Sequence, residues 1–279
     1  MRTTVWSVLI VAAFSTVARA QENNGGAPQV PAPAQTAVPA EIPKSYTVTL
    51  GVDFPTAYLF RGIHQESAGM IAQSPIDLGV ALGKGVSLNV GQWYSMHSGP
   101  TGNFYEADYY GSMTFTAGKL TPGVLFTSYT SPNDRFSTVH ELAAFVSLDD
   151  SASPFPLAPK ATVAFELDGQ ADGGASQGTY LELAIKPALK VIDGARPLML
   201  AVPVRVGLSL KDYYEGPNGS DTFGFFSTGL IASVPITAGK VVWDVHGGLD
   251  VSWLGTNTKF LNGNDAMKPV GIFGITITY

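Results

Sequence analysis

From Tyr46 to the end of the chain, apolar and polar residues alternate in run after run, and a period of two fits only extended strands with two unlike faces. In the first run Tyr46, Val48, Leu50, Val52, Phe54, Tyr58 and Phe60 share one parity, while Thr47, Thr49, Gly51, Asp53 and Arg61 share the other. The pattern returns over 76–82, 86–94, 105–115, 124–129, 142–148, 161–167, 181–185, 198–210, 226–236, 241–253 and 273–279. Twelve antiparallel strands are predicted, with ten or fourteen as alternatives because the runs at Val124 and Phe273 have ambiguous parity. Pro203 falls inside the ninth run, where it removes a ladder hydrogen bond, so a bulge or kink is expected there.

Composition narrows what such strands can build. The 279 residues contain no cysteine, which excludes a disulfide framework and thiolate metal sites. A net charge of -6 without a basic cluster argues against nucleic-acid binding, which relies on Lys and Arg neutralising phosphates. Charged residues make up only 14%, against roughly 25% in an ordinary soluble domain. The one long apolar stretch lies at the N-terminus, so a bundle of membrane-spanning helices is excluded too. That stretch, with Arg2 before it and Ala18-Arg19-Ala20 after it, reads as a secretory signal over 1–20 cleaved after Ala20. Residues 21–44, with Pro28, Pro31, Pro33, Pro39 and Pro43 among small and polar residues, read as a flexible periplasmic leader.

The connections between the strands alternate in length. Gly83-Lys84-Gly85, Gly118-Lys119-Leu120, 191–196 and 237–240 are short, whereas 62–74, 95–103, 131–135, 169–178, 211–221 and 256–268 are long. This is the habit of outer-membrane barrels, with short periplasmic turns and long outer loops, and 149–159 is its one exception. The strand acids and bases all fall on the parity opposite the apolar stripe. Aromatics such as Phe54, Tyr58, Phe60, Trp93, Tyr94, Tyr105, Tyr213, Tyr214 and Trp253 gather near the strand ends, as in an interfacial girdle. Alternation alone leaves a soluble sandwich or an inward-apolar barrel open. The export signal and the aromatics favour an all-β, up-and-down transmembrane barrel over residues 45–279, located in the cell outer membrane.

The segment Tyr58-Leu59-Phe60-Arg61-Gly62-Ile63 resembles the hallmark of the TorF-like family of porins, Gram-negative outer-membrane barrels. The likeness continues more loosely through Glu106, Glu141, Ser233-Val234-Pro235-Ile236 and the closing strand that ends at Tyr279. The resemblance implies passive passage of small solutes, and a terminal aromatic read by the barrel assembly machinery.

Pore-lining or constriction candidates are Arg61, Glu106, Asp108, Glu141, Glu166, Asp168, Glu182, Lys186 and Arg205. Arg61, beside Gly62, is expected to clamp a loop by pairing with a carboxylate, or to hold an anionic solute. Arg205 is expected to face Glu182 or Glu166. Glu106/Asp108 and Glu166/Asp168 each point two carboxylates one way. Such pairs can share a metal or a proton, but a solvated lumen wall is the expected role. The four histidines lack metal-site spacing, and no cofactor, metal or catalytic residue is expected. The expected partners are membrane lipid, the assembly machinery and small polar or cationic solutes. Two alternatives stand beside a channel: a non-conducting structural or adhesion barrel, and a lipid hydrolase using His140 near Ser137 on the outer wall.

Overall fold

A computed structural model describes residues 46–279; the predicted signal and leader, 1–44, lie outside the described residues. The chain opens with β1 (Tyr46–Pro55), followed by a short pair, β2 (Tyr58–Phe60) and β3 (Ile63–Glu66). Next come β4 (Ile71–Gly83), β5 (Val86–His97), β6 (Phe104–Phe115), β7 (Leu120–Thr130), β8 (Val139–Leu148) and β9 (Lys160–Asp168). They are followed by β10 (Thr179–Ile185), β11 (Ala188–Ile192), β12 (Leu198–Ala201) and β13 (Val204–Lys211). After a small pair, β14 (Glu215–Gly216) and β15 (Gly219–Ser220), come β16 (Phe223–Ala238), β17 (Val241–Leu254), the helix α1 (Thr256–Leu261) and β18 (Met267–Thr278).

All but the two small pairs form one antiparallel sheet, and β1 meets β18 through Val52↔Ile275 and its neighbours, so the sheet closes as a barrel of twelve strands. Two of the twelve wall positions are built from broken strands. The β10–β11 position is interrupted at Lys186-Pro187, and the β12–β13 position at Val202-Pro203. The two breaks lie side by side: the Val202 N–H donates to the Pro187 carbonyl at 2.9 Å, and on the other side the Gly229 N–H of β16 reaches the Pro203 carbonyl at 3.2 Å. Each proline lacks the donor that would continue the ladder, which is why both strands break at one level of the wall.

The apolar stripe faces outward. Leu50, Val90, Met113, Leu230 and Leu249 are among the exposed large hydrophobics, while Asp53, Asp77, Asp108, Glu141 and Asp244 are buried on the inner side. An inward-apolar barrel has the opposite arrangement, so that alternative falls.

The first strand is shorter than its alternation predicts. It ends at Pro55, where the Thr56 N–H donates to the Gly271 carbonyl at 2.8 Å and the Thr56 hydroxyl accepts the Gly271 N–H at 2.9 Å. The chain then leaves the wall, and Tyr58 and Phe60 belong to β2 inside the barrel rather than to the outer face. Part of the 256–268 connection is the helix α1, which the strand pattern did not anticipate.

If the outer face lies in hydrocarbon, Leu230→Arg in the middle of β16 should cost about 2–4 kcal/mol. Unfolding in lipid bilayers by denaturant measures this, and a loss below about 1 kcal/mol would count against a lipid-facing wall.

Candidate functional site: a hairpin clamped inside the barrel

β2 and β3 form a separate two-stranded sheet within the barrel, with Phe60 paired to Ile63. Only Arg61 and Gly62 remain for the turn, with φ of 45° and 83°. Both are left-handed, as the tightest hairpin turns require. Glycine takes that conformation freely, but arginine does so rarely. Its tertiary contacts hold it there.

The Arg61 guanidinium is buried, with the residue 3% exposed. Nη1 donates to Glu141 Oε2 at 2.6 Å and to the Tyr213 hydroxyl at 2.7 Å, and Nη2 donates to Glu141 Oε1 at 2.8 Å. The fork matches the carboxylate on two bonds, a geometry that lysine cannot reproduce. The guanidinium carbon lies 4.1 Å from the Tyr180 ring centroid and 5.2 Å from that of Phe60. Burial opposes the charge, but Glu141 and the flanking tyrosine oxygens outweigh it and hold the pKa well above its ordinary value.

The hairpin is tied on every side. The Tyr58 hydroxyl donates to Glu106 Oε2 at 2.7 Å, and the Tyr105 hydroxyl donates to Gln65. Tyr214 donates to the Arg61 carbonyl at 3.0 Å, and Asn262 Nδ2 to the Gly62 carbonyl at 2.8 Å. Tyr213 and Tyr214 are carried in by the connection after β13, and Asn262 by the C-terminal cap of α1. Asn257 of α1 in turn donates to the Tyr214 carbonyl at 2.8 Å, so the helix holds the same connection in place. Glu66 fastens the base of the hairpin: it accepts from the Ser67 and Ala68 N–H groups at 2.8 Å each, and from the Thr101 N–H at 3.0 Å and hydroxyl at 2.7 Å. Burial raises its pKa, but these four bonds outweigh burial and bring it to about 2.

The predicted site residues divide between this clamp and the wall. Arg61, Glu106 and Glu141 meet at the hairpin. Asp108 is buried beside Glu106, so the pair is not the solvated wall expected from sequence. The hairpin and its tyrosines fill the space that water would occupy. Glu166 accepts from the Ala171 and Gly178 N–H groups at 2.7 and 2.6 Å, holding its own connection. Asp168 is exposed and faces away from Glu166, because a bulge between His140 and Glu141 pairs Asp168 with outward His140. Glu182 accepts from Tyr180 at 2.8 Å. Arg205 pairs with Asp250 at 2.6 Å and donates to Ser227 at 3.1 Å; Asp250 thus replaces the expected Glu182 or Glu166 as its partner. Lys186 lies at the proline break, its N–H donating to the Leu157 carbonyl at 2.7 Å. Tyr279 ends the chain at the short-turn rim, with its ring centroid 5.9 Å from that of Tyr46.

Sequence reasoning missed several contributors. Trp93, Tyr105, Tyr213 and Tyr214 point into the barrel instead of forming a girdle. Tyr105 is turned inward by the irregularity between Ser95 and Met96. His246 is buried between Asp53 at 2.9 Å and Asp244 at 3.0 Å, an inner-wall knot for which Gly274 makes room: a side chain at Gly274 would overlap the Asp53 carboxylate. Among the described residues no three His, Cys, Asp or Glu side chains are grouped to hold a metal.

No family model matches the chain, and no curated protein matches it. Among solved structures it is similar to the NanC porin, with 10% identity and a TM-score of 0.46 over 83% of this chain and 98% of that one. It is also similar to the COG4313 outer membrane channel from Pseudomonas putida F1, with 10% identity and a TM-score of 0.48 over 88% and 100%. LpxR from Salmonella typhimurium gives 12% identity and a TM-score of 0.44 over 82% and 99%.

Glu141→Ala leaves the Arg61 charge buried and unpaired, and should destabilise the folded protein by about 3–5 kcal/mol. Tyr213→Phe should cost only about 1 kcal/mol. Equilibrium unfolding of the two variants checks the order, and equal losses would mean that Glu141 is not the main partner. Because the folded pKa of Glu66 is depressed from 4.5, its contribution is fully present above pH 4.5 and is lost as pH falls through about 2. The Ala68 and Thr101 amide proton shifts should therefore titrate near pH 2; a midpoint near 4.5 would show that the bonds do not form.

Proposed function

We propose that this chain is an outer-membrane channel for passive diffusion of small polar or cationic solutes, with the β2–β3 hairpin as its constriction. The observation that carries this reading is the polarity of the closed barrel. Its outer wall is apolar and its inner wall carries Asp53, Asp77, Glu106, Asp108, Glu141, Glu182 and Asp250. A wall of that polarity suits lipid outside and a polar path inside. Fixed charges lining a low-dielectric enclosure favour ions of opposite sign, so the inner acids support preference for cations.

A loop folded into the lumen narrows the path, and here it is held by side chains rather than by the wall's ladder. The resemblance of Tyr58–Ile63 to the TorF-like porins supports the same reading. The predicted signal sequence fits delivery to the outer membrane, and Tyr279 at the rim suits recognition by the assembly machinery. The hydrogen-bonded packing around the hairpin favours a second reading, a non-conducting structural barrel.

Planar-bilayer recordings separate the two. The intact protein should show small, cation-selective conductance in asymmetric KCl, and replacing residues 58–66 by a short flexible linker should raise that conductance several-fold. Anion selectivity would overturn the solute preference. A folded but silent hairpin-less barrel would favour the structural reading.

A further inference from the structure

The outward face of β7, β8 and β9 changes character within one row near the long-loop rim. The register pairs Ser128 of β7 with His140 of β8, and His140 with Asp168 of β9. Thr127, Tyr129, Val139 and Glu141 are buried on the inner side, so Ser128 and His140 alternate outward. The bulge between His140 and Glu141 turns Asp168 outward beside them. One row nearer the middle of the wall, Phe126, Leu142 and Phe165 are paired across the same three strands, and all three are exposed. Ser137, the serine expected near His140, lies in the connection before β8 and outside this row.

The order of the polar row is the one that nucleophilic catalysis by a hydroxyl requires. An imidazole stands in the middle, with a hydroxyl on one side and a carboxylate on the other. Residues directly opposite on neighbouring strands have Cβ atoms about 4.5–5.5 Å apart, a gap that an imidazole spans. His140 Nδ1 is shielded from solvent and has no hydrogen-bond partner among the described residues, so it is available to the Asp168 carboxylate. The His140 ring rests against Phe126, with centroids 5.9 Å apart and planes at 22°. To accept the Ser128 proton it must turn from Phe126 toward Ser128, and an acyl chain laid over Phe126 displaces it in that direction.

We propose that Ser128, His140 and Asp168 form an acyl-ester hydrolase site on the outer wall, with membrane glycerolipid as its substrate. The two rows match the two parts of such a lipid: the ester meets the polar row, and the acyl chain lies along Phe126, Leu142 and Phe165. Ser128 Oγ attacks the ester carbonyl carbon while His140 takes the hydroxyl proton. The glyceryl oxygen then leaves with that proton, and the acyl group remains on Ser128. Water attacks the acyl-serine and gives a proton to His140, and the fatty acid departs as that proton returns to Ser128 Oγ. The sum is ester plus water going to alcohol plus carboxylic acid. Asp168 is a positioning residue that orients the imidazole. Tyr109, paired with Ser128 on its other side, brings a hydroxyl donor for the developing oxyanion. The site lies outside the wall and is independent of whether the barrel conducts.

The test uses the full-length protein folded in detergent, with a long-chain alkyl fluorophosphonate as probe and diacyl phosphatidylglycerol in mixed micelles as substrate. The probe should attach to Ser128, and free fatty acid should be released. Ser128→Ala should prevent labelling, and Ser128→Ala and His140→Ala should each lower release roughly a hundredfold or more, whereas Ser137→Ala should leave both unchanged. Asp168→Asn should slow release about tenfold or more and move the acid limb of the pH–rate profile to lower pH, which the loss of a purely structural contact would not do. Bilayer conductance should be the same in Ser128→Ala as in the wild type, so failure of this site and failure of the channel reading are distinguishable. Should His140→Ala fail to fold, Ser128→Ala decides alone, since it removes only an outward hydroxyl. Folded wild-type protein that neither takes the label nor releases fatty acid, or release that survives Ser128→Ala, would overturn the site and leave the row as an interfacial polar band.

Discussion

A single buried guanidinium organises the interior. Arg61 sits on a two-residue turn, in a backbone conformation that non-glycine residues seldom adopt, and is surrounded by protein rather than water. An unpaired charge there would be prohibitive, so the turn is stable only where a carboxylate meets the fork on two bonds. Glu141 on β8 meets that demand, 80 residues away in sequence. Tyr213 and Tyr180 complete the cage, which fixes where the connection after β13 must enter the lumen. Tyr214 and Asn262 then bind the turn's own carbonyls, and α1 is placed accordingly.

The polarity of the wall explains why so many charges must be paired. Apolar residues take the outer parity, so each strand delivers its acids inward, where the hairpin leaves little room for water. Most inner acids therefore acquire a specific donor: a hydroxyl for Glu182, a guanidinium for Asp250, an imidazole for Asp53 and Asp244, backbone N–H groups for Glu166. Such networks make positions interdependent. At Gly274 the requirement extends to a residue with no side chain, because the Asp53 carboxylate occupies the space that one would fill.

Strand number, the parity of most strands and the break at Pro203 are legible in sequence because each follows from a local rule. What eluded sequence reasoning were departures of one or two residues from that rule. The alternation of the first strand runs unbroken through Phe60, and nothing in it signals that the wall ends at Pro55 and that Tyr58 and Phe60 turn inside. The bulges that send Tyr105 inward and Asp168 outward leave no mark in the pattern, because they are set by the register of neighbouring strands. Arg61 could be singled out as a clamp beside a glycine turn, but its partner could not. Glu106, Glu141, Glu166 and Glu182 share the same inward parity, and only closure of the barrel brings one of them to the turn.

The hairpin's attachment differs in kind from the wall's. Wall strands are joined by backbone ladders, unbroken in the run from Phe225↔Leu254 to Ala238↔Val241 between β16 and β17. β2 and β3 pair only with each other, and side chains hold them to the barrel through Arg61, Tyr58, Gln65 and Glu66. Releasing those contacts breaks no wall hydrogen bond, so the free energy of moving the hairpin is separable from that of unfolding the barrel. Charged contacts dominate the clamp, and their strength depends on what fills the space around them. Water or ions entering from the long-loop rim would weaken the Arg61–Glu141 pair while leaving the ladder intact. A rigid wall with a side-chain-held hairpin thus places any control of access in the hairpin.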